Sequence, residues 1–338
     1  MALNSFIMNH LRILFTIVLF SMIGRTLSAQ PEIKLRPNET ILLYADSFEG
    51  NLDYVYADVV KYAGFEMKED NELSGPERIR PNGALNNVSK LARVDIYLPK
   101  KCTGQMVVIC PGGGYKGLTT FNGGLYTADW LLSRGVAVAI AKYRMPNGHW
   151  NVPLDDIQNV FRYCRSRSHE WGIDQIGVMG FSAGGHLAAC ASNFYVDQVT
   201  RPDFCILIYP VITYDYNLYR SGSRPSLLGK EEKWEGNMQK FNELVEYYSM
   251  EKQVHTNTPP TFLAHCTDDK TLVVNSLLYY NKLFENNVYA ELHVWPEGGH
   301  AWGFSNAKLE RYRNDKFAYA RKEFCASLDR WFKKMRTL

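Results

Sequence analysis

The chain has 338 residues, 46% of them hydrophobic and 22% charged, with a formal net charge of +3 at pH 7. This is ordinary globular composition with no repeat, low-complexity stretch or basic run, which excludes fibrous and solenoid architectures and leaves nothing to attract nucleic acid. The length suits one large domain with additions.

Residues 1–29 contain no acid, a basic Arg12, an apolar run from Ile13 to Ile23 and a small-residue end at Ser28-Ala29-Gln30. That pattern predicts a signal peptide, and hence a secreted or periplasmic protein. The run is shorter than the roughly 20 residues a membrane-spanning helix needs, so no stable membrane insertion is expected after cleavage, an uncleaved anchor being the alternative. Without Arg12 and Arg25 the formal charge falls by two, from +3 to +1. Residues 30–90 scatter Asp, Asn, Pro and Gly and predict an N-terminal extension with an edge strand or a strap. Asn38-Glu39-Thr40 and Asn87-Val88-Ser89 match the glycosylation sequon.

Residues 91–338 alternate short β-rich runs with helical stretches, the pattern of an α/β domain whose mostly parallel sheet is covered by helices. The runs are Val94 to Leu98, Met106 to Cys110, Val136 to Tyr143, Ile176 to Gly180, Phe204 to Tyr209, Thr261 to His265 and Ala290 to Trp295. Pro153 opens a helix carrying Leu154, Ile157, Val160, Phe161 and Cys164, with Asp155 and Asp156 in its first turn. Residues 212–260 are longer than a plain connection and predict a cap-like insertion with a helix near Phe241 to Tyr248. The seven cysteines are an odd number without a Cys-x-x-Cys pair; Cys110, Cys205 and Cys266 sit in apolar runs and read as buried thiols.

Gly180-Phe181-Ser182-Ala183-Gly184 joins a strand to a small-residue helix, and this context gives the G-x-S-x-G match its meaning. The turn is a nucleophile elbow, the mark of the α/β-hydrolase fold, with Ser182 as the candidate nucleophile. A serine hydroxyl needs a base, and in this fold the acid and then the histidine follow the serine along the chain. His300 lies in the loop after the run ending at Trp295 and is the candidate base; His186, His265 and His293 have structural readings. Asp268 and Asp269 follow the run before it, and residue order alone leaves both open as the acid. Pro111-Gly112-Gly113-Gly114-Tyr115 follows an early strand. Its glycine amides at Gly113 and Gly114, with the amide of Ala183, suit an oxyanion hole. No metal cluster or cofactor fingerprint is visible, so neither is expected.

These segments together resemble the α/β-hydrolase carbohydrate esterases, in the acetylxylan-esterase-like and feruloyl-esterase-like branch related to hormone-sensitive lipase. The likeness runs from about residue 74 to the end and includes Gly180 to Ala188, His265 to Lys270 and Gly298-Gly299-His300-Ala301-Trp302-Gly303. It implies a sheet with helices on both faces, and it selects Asp269 over Asp268 as the acid. Pro111 stands where lipase-type relatives carry His, which points to the sugar-esterase branch. The resemblance implies a secreted serine esterase acting on acyl esters of carbohydrates such as xylan. Tyr115 and Trp302, with Phe121 and Tyr126, would flank its pocket. The alternatives are a feruloyl or general short-chain carboxylesterase, a prolyl-oligopeptidase-like peptidase and an inactive binding module of the same fold.

Overall fold

The computed structural model describes residues 35–44, 60–80, 84–218, 222–304 and 315–338. The expected signal segment lies outside them, as does most of residues 44–70. In chain order the strands are β1 Glu39–Tyr44, β2 Val60–Phe65, β3 Arg78–Ile79, β4 Ala84–Asn86, β5 Arg93–Tyr97, β6 Gln105–Cys110, β7 Gly117–Thr119, β8 Ala137–Lys142, β9 Gln175–Phe181, β10 Cys205–Ile208, β11 Thr261–Cys266 and β12 Ala290–Trp295. The helices are α1 Tyr126–Leu132, α2 Val152–Trp171, α3 Ala183–Asn193, α4 Ser223–Leu228, α5 Met238–Tyr247, α6 Val274–Glu285 and α7 Arg321–Met335.

Nine strands form one sheet in the order β12-β11-β10-β9-β6-β8-β5-β1-β2. Every neighbouring pair is parallel except β1 with β5 and β5 with β8. The seven expected runs all occupy it; β1 and β2 extend it past β5, and β3, β4 and β7 form a separate small antiparallel sheet. The central strands read as continuous apolar runs because both their faces are covered. In β6, Met106, Val108 and Cys110 enter the core on one face, while Val107 and Ile109 enter the core on the other. The first core is closed by α2, α3, α5 and α6, the second by α1 and α7.

The segment between β10 and β11 carries α4 and α5, whose Leu227, Leu228, Phe241 and Leu244 are buried in the first core. It is fastened to the loop after β8 by the amide of Gly148, which donates to Ser226 O at 3.2 Å. Asp156 is not the solvated first-turn acid that the α2 pattern suggests. Its carboxylate is fully buried against Arg144, 2.7 Å from the guanidinium, and accepts the hydroxyl of Tyr44 at 2.6 Å. A charge taken out of water needs such a partner. This one ties β1, the end of β8 and α2 together. All seven cysteines are free, Cys110, Cys205 and Cys266 among the buried ones. Among the described residues no helix is long and apolar enough to cross a membrane.

Candidate active site

Strand β9 ends at Phe181, and α3 begins at Ala183. Between them Ser182 adopts φ 55° and ψ −122°, a conformation that L residues avoid and that surrounding bonds must impose. Those bonds are its amide to Ile208 O at 3.1 Å and its carbonyl from the amide of Val211 at 3.0 Å. The flanking glycines are needed for space: a Cβ on Gly180 would lie 2.1 Å from Gly184 O, and one on Gly184 would lie 2.1 Å from Cys110 O. Strand, turn and helix therefore meet closer than any side chain allows.

The loops that carry the other candidates leave the same end of the sheet. Cys110 pairs with Gly180 across β6 and β9, so the glycine loop and the elbow emerge side by side. Cys266 pairs with Trp295 across β11 and β12, which does the same for the acid and histidine loops. His300 Nε2 lies 2.8 Å from Ser182 Oγ, and His300 Nδ1 lies 2.8 Å from each carboxylate oxygen of Asp269. An ionised carboxylate only accepts, so Nδ1 carries the proton and Nε2 accepts from the serine hydroxyl.

Asp269 is buried, with no side-chain exposure. Burial alone would raise its pKa, but hydrogen bonds from His265 and His300 and their charge outweigh that and hold the carboxyl below its ordinary value. It also accepts the amide of Thr271 at 2.7 Å. His265 Nε2 stands 2.6 Å from Thr271 O and 3.5 Å from Asp269, with Ser276 Oγ at 2.8 Å from Nδ1. Since a carbonyl only accepts, His265 carries its proton on Nε2, facing the acid. Asp268 sits in the turn after β11, where it accepts the amide of Gly299 at 2.6 Å and lies 3.4 Å from Lys316 Nζ, bracing the histidine loop.

The loop after β6 folds against the elbow. A Cβ on Gly112 would come 3.2 Å from Ser182 Cβ, and one on Gly113 would come 1.9 Å from Gly117 O. Its carbonyls are occupied from behind: Pro111 O by the Tyr143 hydroxyl at 2.7 Å, Gly112 O by Thr119 N at 2.8 Å, and Gly113 O by Lys116 N at 3.1 Å. Ala183, at the first turn of α3, has no carbonyl one turn back to take its amide. The arrangement thus leaves the carbonyls of Pro111, Gly112 and Gly113 occupied and the loop's amides beside Ser182.

Both aromatic rings expected to flank a pocket are buried, and Tyr115 borders a recess beside the glycine loop. Tyr115 is 2% exposed and donates its hydroxyl to His186 Nδ1 at 2.9 Å. Trp302 is 3% exposed and stacks on Phe317 with ring centroids 3.9 Å apart. Large rings beside a site are drawn into the core by the same apolar area that would suit them to a sugar. Tyr126 is likewise buried, and Phe121 is half-buried. Two supports of the site carry no motif in the sequence, and a third, His265, lies in a segment of the family likeness. Asn122 donates to Ala301 O at 2.7 Å, Tyr209 donates to Trp302 O at 2.8 Å with its ring edge-on to His300, and His265 backs the acid. Among the described residues there is no group of His, Cys, Asp and Glu able to hold a metal ion.

A family model described as BD-FAE matches residues 94–202, a span that includes the glycine loop and Ser182. An acetylxylan esterase of Xylanibacter ruminicola is 34% identical over 218 residues, covering 63% of this chain and 44% of that protein. Endo-1,4-beta-xylanase B of Butyrivibrio fibrisolvens is 32% identical over 217 residues, covering 59% and 33%. The chain therefore spans less than half the length of these curated relatives. The crystal structure of an acetyl ester-xyloside bifunctional hydrolase from Caldicellulosiruptor lactoaceticus superposes with a TM-score of 0.61 at 31% identity, covering 72% of this chain and 88% of that one. The chain belongs to the α/β-hydrolase carbohydrate esterases.

Proposed function

We propose that this protein is a serine esterase that removes acetyl groups from carbohydrate, with Ser182 as nucleophile, His300 as base and Asp269 as the acid that orients it. The observation that carries the reading is the unbroken series Asp269, His300, Ser182 with 2.8 Å contacts, ending beside the glycine loop. Ser182 Oγ attacks the ester carbonyl as His300 Nε2 takes its proton, and the carbonyl oxygen becomes an oxyanion held by the amides of Gly113, Gly114 and Ala183. Collapse expels the sugar hydroxyl, which takes its proton back from His300, and leaves an acyl group on Ser182. Water then attacks that acyl with His300 again as base, releasing acetate and the free serine. Asp269, kept ionised by its neighbours, stabilises the imidazolium at both steps. Residues 1–29 are proposed as its export signal.

The names of the relatives support carbohydrate as the alcohol side of the ester. The test compares acetate release from acetylated xylan with hydrolysis of methyl ferulate and of a long-chain lipid ester. Acetate release should dominate, and Ser182→Ala should lower it on the order of 10⁵-fold with an unchanged circular dichroism spectrum. Equal rates for wild type and Ser182→Ala would refute the mechanism, and predominant lipid hydrolysis would refute the substrate.

A further inference from the structure

We infer that a recess beside the glycine loop binds a sugar carboxylate, so that the ester substrate is an acylated polysaccharide carrying uronic acid groups. This rests on the esterase reading above and narrows it. The recess is a cavity of about 500 Å³ that takes in Tyr115 and Lys116 from the glycine loop, Met145 and Asn147 from the loop after β8, and the stretch from α4 to Lys233. Its size is that of a ligand site and exceeds what a lone inorganic anion fills.

Three amines face this one space, Lys116, Lys230 and Lys233, and no Asp or Glu lines it. Lys116 lies more than a hundred residues before Lys230 and Lys233, so no basic run announces the three in the sequence. Of the carboxylates flanking these segments, Glu231 faces Arg224 at 3.9 Å, Glu69 and Glu72 face His149 at 2.8 and 3.7 Å, and Glu232, between Lys230 and Lys233, does not line the recess. Among the described residues none of the three lysines forms an ion pair with an acid. Three like charges around one recess repel one another and favour an anionic occupant.

The remaining lining sets the kind of anion. Asn87, Asn147 and Ser226 spend donors on Ser74 O, Asn71 O and Gly222 O and leave their side-chain oxygens to accept from ring hydroxyl groups. The recess lacks a free aromatic platform of the kind that would hold a neutral sugar by stacking, since Tyr115 is buried. The walls are fixed in place: Asn147 Nδ2 donates to Asn71 O at 3.0 Å, and Trp234 Nε1 donates to Leu228 O at 3.0 Å. Gly112 touches Ser182, and Lys116 follows four residues later, so their Cα atoms are at most about 14 Å apart. An oligosaccharide with its acetyl group at Ser182 would come first to Lys116, from which the recess extends to Lys230 and Lys233.

The experiment titrates the Ser182→Ala protein calorimetrically with a glucuronic-acid-bearing xylo-oligosaccharide and with the neutral oligosaccharide of equal length. The acidic ligand should bind about tenfold more tightly at about 0.05 M salt, and the gap should narrow at about 0.5 M salt. Adding Lys116→Gln, Lys230→Gln and Lys233→Gln, all at exposed positions, should abolish the difference. The same three changes on an intact Ser182 should raise KM for the acetylated acidic oligosaccharide and leave p-nitrophenyl acetate turnover within about twofold. Equal affinity for the two ligands, or a preference that survives the triple substitution, overturns the inference. A protein that cleaves no ester at all refutes the esterase reading alone, because the titration needs no hydrolysis and still decides the recess.

Discussion

Asp268 and Asp269 are adjacent carboxylates with separate duties. Asp269 is buried against His300 and His265, while Asp268 is partly exposed and holds the amide of Gly299. Residue order left both in contention because a turn of unknown geometry decides which one faces inward; only the family pattern separated them. Replacing Asp269 with Asn should lower kcat by about 10³ to 10⁴, because the amide favours the wrong imidazole tautomer. Asp268→Asn still presents an oxygen to Gly299 and should cost less than about tenfold. Steady-state rates on p-nitrophenyl acetate check both, and comparable losses would mean that the two carboxylates share the role. The nucleophile was legible because strand, glycines and small-residue helix all had to be present together. The supports of the histidine were not: Asn122 and Tyr209 act through backbone carbonyls 179 and 93 residues away, and nothing local in the sequence records such contacts.

At the scale of elements, α3 is more than a carrier for the elbow. His186, three residues into α3's buried face, accepts from Tyr115 of the glycine loop at Nδ1 and donates from Nε2 to Tyr248 O at 2.8 Å, at the end of α5. Burial lowers its pKa from 6.5 to about 4. The folded protein thus keeps His186 neutral where the unfolded chain protonates it. The stability this confers is complete above pH 6.5 and is lost as the pH falls toward 4, amounting to about 3 kcal/mol. Urea unfolding across that window should show the decline, and His186→Gln, which cannot titrate, should flatten it; an unchanged slope would remove His186 as its source. The central strands and α2 were legible from apolar runs and helical period. The expected elements do not include α7, although Phe324, Leu328, Trp331, Phe332 and Met335 recur at helical spacing and are all buried. The small sheet is a different case, since its strands are two or three residues long and exist only by pairing with one another, β3 with β4 and β4 with β7.

Across the whole molecule, the fold class followed from the alternation of runs, but the order of the strands did not. A parallel strand can be inserted at several places with equal local patterning, and β1 and β2, which lie before the alternation starts, join the sheet through long-range pairing. That order has a consequence for how the protein fails. Ser182 hangs from a strand with three strands on one side of it and five on the other pairing outward, whereas His300 follows β12, the outermost strand, bonded on one side alone. Val294 of β12 is 40% exposed and Tyr289 just before it 41%. Margins with few buried contacts open at lower free energy than centres. Heating should therefore detach the base before the sheet melts: ester hydrolysis should disappear at a lower temperature than the far-ultraviolet signal, and reversibly so on brief exposure. Coincident midpoints would show the margin to be as firm as the middle. The histidine would then be a weak point set by topology, and covering that border with a further strand or a partner would extend the working range of the protein without touching any residue of its chemistry.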